Sequence, residues 1–233
     1  MQLGLGLHVR AVRLLRRLSR WSRQRPRRVL RRRTVARLHL GCGPQVLPGW
    51  VNVDLEYHPG VDLVHDVRDG LPFEGVEYIF AEHFLEHLTY DEGVRFLREC
   101  RASLTDGGVL RLSTPNLDWV MRTQYEITPS SPEDARIRAC FAMNKAFRGW
   151  GHQFLYNAAT LVETLHAAGF DNTRLQPFGE SDHAPLRGLE RHETFADSPE
   201  FPHVIVIEAW GRRPSASASM EAAIDDYDLA LHG

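Results

Sequence analysis

The most restrictive feature of this sequence is a short apolar strand running straight into glycines, RLHLGCG at residues 37–43. Glycines after a strand permit a sharp turn and let main-chain N–H groups approach whatever lies at the strand's end. From there to residue 211, strand-like and helix-like patterns alternate, which is the signature of an α/β domain. Strands read at WVNVDLE (50–56), VDLVHDV (61–67), GVEYIFAE (75–82) and VLRLSTP (109–115), the last launched by an expected tight turn at Asp106-Gly107-Gly108. TRLQPF (173–178) and HVIVIEAW (203–210) complete the series. Thr89 and Glu92 predict a capping box ahead of a helix burying Val94, Leu97, Cys100 and Leu104. Asn157 predicts the cap of a helix carrying Leu161, Leu165 and Ala168 and ending at Gly169. Residues 117–150 read as an inserted helical segment, most regular at SPEDARIRACFAMNKAF.

Charge divides the chain. Residues 1–37 hold 13 arginines and no acid, whereas the other 196 residues set 15 basic residues against 30 acidic ones, so the net charge of −2 conceals two different objects. In the arm, Leu7, Ala11, Leu14, Leu18 and Trp21 recur at helical spacing opposite a face of arginines, a basic amphipathic pattern broken near Pro26. Arginines interrupt every apolar stretch long enough to act as a secretory signal. Three uses fit the arm: an anionic membrane surface, nucleic-acid phosphates, and a solvated extension without a partner. The membrane reading places the protein in the cytoplasm at the inner face of the membrane, and nucleic acid ranks lower because the body is acidic. No apolar run approaches the roughly 20 residues of a membrane-spanning helix. Cys42, Cys100 and Cys140 are an odd number at wide spacing, which points to a reducing compartment. Residues 212–233 read as a small-residue linker and an acidic tail with little structure expected.

The glycine turn gains meaning from the acids that follow. A carboxylate at the tip of the next strand, Asp54, is placed to accept hydrogen bonds from ribose hydroxyls, and Asp66 ends the strand after it. The dinucleotide fingerprint G-x-G-x-x-G fails at Val46, which argues against a nicotinamide enzyme.

LHLGCGPQVLPGWVNVDLE, VHDVRDGLPFEGVEYIFAEHFLEHL, FLRECRASLTDGGVLRLSTPNLDW and FLYNAATLVETLHAAGF together resemble the class I S-adenosylmethionine-dependent methyltransferases. More narrowly they are similar to a bacterial subgroup with LPGW–NVD after the glycine loop and HxLEHL after the fourth strand. The resemblance runs from about Leu38 to Trp210 and implies a Rossmann-like, seven-stranded, mostly parallel sheet with one antiparallel strand and helices on both faces. It implies S-adenosylmethionine as cofactor, with its methionine part against Leu40, Gly41, Cys42 and Gly43. Asp54 would hold the ribose, Leu55 would meet the adenine, Asp66 and Val67 would face the adenine amino edge, and Glu82 and His83 would lie beside the sulfonium. Two departures stand out. His39 occupies a position where the family commonly has an acid or amide, and the span from Gly43 to Asp54 is too short for a full first helix, a compression usual in the subgroup.

A hydroxyl acceptor needs a general base, and His83, His87 and His152 are the candidates. Asn116 and Asp118 beyond the fourth of the quoted strands, with His183 and Arg187 in a polar loop at 179–202 that also carries Arg191 and His192, are candidate acceptor contacts. The subgroup resemblance implies a small-molecule or saccharide acceptor, and a membrane-bound arm would suit a lipid-linked glycan. Competing readings are an RNA methyltransferase, a cofactor-binding module without turnover, and a zinc hydrolase. The last rests on HFLEH at 83–87, which matches H-x-x-E-H, with Glu163 as a distant third ligand. It leaves the glycine turn and its acids unexplained, so no resident metal is expected.

Overall fold

The computed structural model describes residues 33–125, 128, 130–191, 201–212 and 227. The arm's amphipathic repeat, His192 and the acids of the tail lie outside the described residues. Among the described residues, strand pairing already starts at Arg33. Strand β1 (Arg33–Thr34) lies parallel to β5 (Phe73–Glu74), and Val35 packs on the core.

The main sheet contains β2 (Arg37–Leu40), β3 (Val51–Asp54), β4 (Leu63–Val64), β6 (Val76–Glu82), β7 (Leu104–Pro115), β8 (Asn172–Leu175) and β9 (Val204–Trp210). Their spatial order is β4-β3-β2-β6-β7-β9-β8, with every pairing parallel except those of β9, which runs antiparallel to both neighbours. This is the Rossmann-like mixed sheet that the sequence predicts. The chain leaves β2 toward β3 and β4, then returns to the other side of β2 as β6. The crevice beyond the carboxyl ends of β2 and β6 is therefore a topological switch point, where open α/β sheets bind ligands.

Helix α1 (Tyr90–Ser103) has both halves of the predicted capping box, with Thr89 Oγ1 accepting from the Glu92 N–H and Glu92 accepting from the Thr89 N–H. Helix α4 (Ala158–Ala167) is capped by Asn157, and Gly169 beyond its end takes φ +102°. Val94, Phe96, Leu97 and Cys100 of α1 and Leu161 and Leu165 of α4 bury one face of the sheet over Leu38, Leu40, Ile79 and Leu110. Helical cover is uneven: among the described residues the opposite face is closed by Leu47, Trp50, Leu186 and Leu189, from loops and a short 3-10 turn. Helices α2 (Leu117–Gln124) and α3 (Glu133–Arg148) form the predicted insertion, packed through Val120, Ala146 and Leu155. The Asp-Gly-Gly segment does not break off a separate strand. Instead β7 runs through it, and a bulge opposite Val76–Tyr78 absorbs the extra residues. Gly108 fits there because a Cβ would stand 2.8 Å from the Val76 carbonyl oxygen.

Candidate functional site

On the β2 side of the switch point, Gly41 and Gly43 take positive φ of +65° and +50°. A Cβ at Gly41 would overlap the ring of Phe84, so that glycine is required by packing as well as by φ. A Cβ at Gly43 would meet nothing within 4 Å, which leaves an open cradle beside its backbone. The Gly41 and Cys42 N–H groups both donate to the Val53 carbonyl, at 2.9 and 3.2 Å. Asp54 completes the turn, accepting from the Gly43 N–H at 2.7 Å and from the Glu56 N–H at 2.9 Å. Each of its oxygens keeps a further acceptor direction. Leu55 beside it is 59% exposed, an apolar surface next to the turn. The Cys42 thiol is buried, and burial first, then the Asp54 charge, pushes its pKa up to about 11, so it is no nucleophile.

The ten residues between β2 and β3 contain no helix. What holds them is Asn52. Its Nδ2 donates to the Leu47 and Trp50 carbonyls, both at 3.1 Å, while its Oδ1 accepts from the Leu47 N–H at 2.8 Å and from His39 Nδ1 at 3.1 Å. His39 is 3% exposed, stacked on Phe80. Burial is the largest influence on it and lowers its pKa to about 4, against the raising effect of the Asn52 bond. The imidazole standing in place of an acid is therefore neutral at pH 7.

On the β6 side, Glu82 Oε1 accepts from the Arg191 backbone N–H at 2.7 Å, and Arg191 Nη1 donates to Gln45 Oε1 at 2.8 Å. Arg191 thus bridges the two lips of the cleft. His83 follows Glu82 with φ +46°, a left-handed conformation that costs a residue with a Cβ about 1–2 kcal/mol. Its Nδ1 lies 3.1 Å from Glu86 Oε1. Glu86 is wholly buried, and its Oε2 accepts from Thr114 Oγ1 at 3.0 Å. A buried carboxylate holding one ring nitrogen fixes the imidazole's orientation.

The other predicted contacts have local partners of their own. Asp66 caps a short 3-10 turn and pairs with Arg68 at 2.6 Å, and that partner outweighs burial to lower its pKa. Val67 is in the core. Asn116 is the N-cap of α2 and donates to the Pro202 carbonyl at 2.8 Å, while Asp118 accepts from Asn157 at 3.2 Å. These two staple the insertion to the sheet. Arg187 spends its guanidinium on the Ser181 and Asp182 carbonyls of its own loop, and His183 packs on Tyr78.

The H-x-x-E-H reading fails on geometry. His83 sits on a left-handed turn before the three-residue 3-10 helix Leu85–His87, so His83 and His87 do not share a helical face. Glu163 pairs with His166 on α4 at 3.7 Å. His87 instead meets His152, their ring centroids 5.3 Å apart.

No protein-family model matches the chain, and no curated relative matches it. Solved structures to which it is similar include PigF with SAH, at 18% identity and TM-score 0.43 over 75% of this chain and 50% of that one. LepI in complex with SAH and a substrate analogue is 9% identical, with TM-score 0.40 over 76% and 43%. A protein of Bordetella parapertussis is 16% identical, with TM-score 0.44 over 80% and 66%. The chain spans less than two thirds of the length of each.

Proposed function

We propose that the chain is an S-adenosylmethionine-dependent methyltransferase acting on an oxygen of a small-molecule or saccharide acceptor. The observation that carries this reading is the pairing, across the switch point, of the open Gly41–Gly43 turn and Asp54 with Glu82 and His83. The residues present fit that cofactor. The cradle at Gly43 is open, Leu55 offers an apolar face to the adenine, and Asp54 retains acceptor capacity for ribose hydroxyls. Leu40 and Cys42 are buried and present backbone rather than side chains. Arg191 suits the methionine carboxylate, and Glu82 suits the ammonium group that an acid at position 39 would otherwise meet. Asp66 is committed to Arg68, so the adenine amino edge falls to backbone at residues 66–67.

When bound, the cofactor supplies an electrophilic methyl group. The protein's part is to align the acceptor oxygen with it and to remove the proton that the oxygen loses, alignment alone being capable of several of the roughly 7–11 kcal/mol available to proximity. His83 is the group assigned to that proton, its imidazole oriented by the Glu86 carboxylate through Nδ1. Glu86 is a positioning residue, held by Thr114.

Calorimetric titration with S-adenosylmethionine tests the cofactor reading. Micromolar binding by the full chain, lost in Asp54→Ala while the thermal midpoint stays within a few degrees, supports it. Absence of binding by the parent chain overturns it. His83→Ala separates catalysis from binding, since the reading requires transfer reduced about 100-fold or more even at saturating cofactor. Unchanged transfer would refute His83 as the base, whereas cofactor binding without any transfer by the parent chain would favour the non-catalytic reading.

The arm at residues 1–37 extends this reading to the inner face of an anionic membrane, where arginines near headgroups contribute about 1 kcal/mol each. Co-sedimentation with anionic vesicles, lost on removal of residues 1–31, supports that placement. A salt-sensitive shift with RNA and none with vesicles would favour the RNA methyltransferase instead.

A further inference from the structure

We propose that Glu86, His87 and His152 form a binding site for one divalent transition ion of the zinc class, next to His83. One ligand atom from each of the three residues lies within 4.8 Å of the others. That is the spacing of donors able to converge on a single ion, and two imidazoles with one carboxylate suit zinc and its neighbours.

The donors are set by the fold rather than by a local motif. His152 Nδ1 lies 2.7 Å from the Ala146 carbonyl oxygen, which only accepts, so Nδ1 carries the proton and Nε2 bears the lone pair. Such an outer hydrogen bond is the usual means of fixing the tautomer of a metal-binding imidazole. The segment bearing His152 is stitched to Glu86 itself: the Glu86 carbonyl accepts from the Gln153 and Phe154 N–H groups at 2.7 and 3.3 Å. Just before it, Trp150 is held at φ +55° and Gly151 at φ +82°, and a Cβ on Gly151 would stand 3.7 Å from His87 Nδ1. Backbone strain is thus stored where the chain turns to bring His152 edge-on to His87. Glu86 supplies the charge, its carboxylate oriented by His83 and Thr114 with lone pairs remaining on both oxygens.

The site stands on this geometry alone, whereas its role rests on the methyl-transfer reading. An ion sharing Glu86 with His83 would hold an acceptor hydroxyl and lower its pKa, while His83 receives the proton. With S-adenosylmethionine bound, the S–CH3 bond would break as the O–CH3 bond formed and the sulfur would leave as a neutral thioether, so no further reactant would be required.

The test uses the full chain stripped with EDTA and titrated with zinc by calorimetry, with cobalt absorption as a second probe. One equivalent is expected to bind, and His87→Ala and His152→Ala are each expected to weaken it by about tenfold or more, while His166→Ala leaves it unchanged. S-adenosylmethionine affinity, measured on the same samples, should not move in either site variant. Absence of zinc binding by the parent chain, or undiminished binding in the His87→Ala/His152→Ala double variant, overturns the site. Loss of cofactor affinity alone, with zinc binding intact, would instead count against the methyltransferase reading.

Discussion

His39 makes the folded state sensitive to mild acid. In the unfolded chain its pKa is near 6.5, and in the fold burial lowers it to about 4. Above pH 6.5 both states are neutral at this position and stability is at its full value. As pH falls toward 4, the unfolded chain takes up a proton that the folded one refuses, so stability is lost across that window. From pH 7 to pH 5, those two values correspond to a loss of about 2 kcal/mol from this one residue. The chain has 12 histidines, so the parent's pH dependence alone does not isolate the effect. The difference between the parent and His39→Gln does, because glutamine cannot titrate yet can still donate to Asn52 Oδ1. Urea unfolding at pH 7 and pH 5 should show the parent losing about 2 kcal/mol more than the variant. Equal losses would mean that the folded state protonates His39 freely, and the account of a neutral imidazole at the head of the cofactor turn would fall.

Gly41→Ala should cost about 2–4 kcal/mol, from the left-handed backbone and the Phe84 overlap together, read as a fall in denaturation midpoint. Gly43→Ala should cost only about 1 kcal/mol of stability but weaken cofactor binding by about tenfold, because its Cβ enters the open cradle. Arg111→Leu should destabilise by about 3–5 kcal/mol by leaving Glu190 and Glu208 buried without their cation, and thermal melting checks it. Tyr227→Ala should cost about 1–2 kcal/mol, since that tail residue packs edge-on against Phe154 and Tyr90 at 5.6 and 6.3 Å.

Sequence and structure agree at several local signals. The strand entering Gly41-Cys42-Gly43, the carboxylate of Asp54 eleven residues past Gly43, the Thr89–Glu92 box and the Asn157 cap each involve residues whose chemistry is decided within a turn or two of chain. The disagreements come from partners far apart. Arg191 finds Gln45 across 146 residues and Arg111 finds Glu190 across 79, and no periodicity announces such pairs. HFLEH misleads for a related reason. The motif assumes one helix, whereas a single left-handed residue at His83 turns that side chain toward Glu86 and leaves His87 to meet a histidine from the far end of the insertion. Asp106-Gly107-Gly108 carries good turn chemistry, yet the sheet absorbs it as a bulge because Val76 and Tyr78 of the neighbouring strand continue the pairing on either side.

The short crossover between β2 and β3 has a consequence for the whole cleft. Parallel strands are usually joined by a helix, which would shield one sheet face and point its N-terminus at the ligand. Here ten residues do the joining, so the shielding and the stiffness come from buried polar side chains instead. Asn52 ties the crossover to the sheet through Leu47, Trp50 and His39, and fixes the lip that carries the glycines. Arg111, in the middle of β7, holds Glu190 at 2.6 Å and Glu208 at 2.7 Å, and fixes the loop that presents Arg191 to the same lip. Leu47 and Trp50 from the first element and Leu186 and Leu189 from the second share one apolar cluster beneath the cleft. The two lips are therefore mechanically one piece, and disturbing either knot should reach the other. A double-mutant cycle between Asn52→Ala and Arg111→Leu, read as cofactor affinity, should show coupling of about 0.5 kcal/mol or more, whereas strict additivity would mean that the lips are positioned independently.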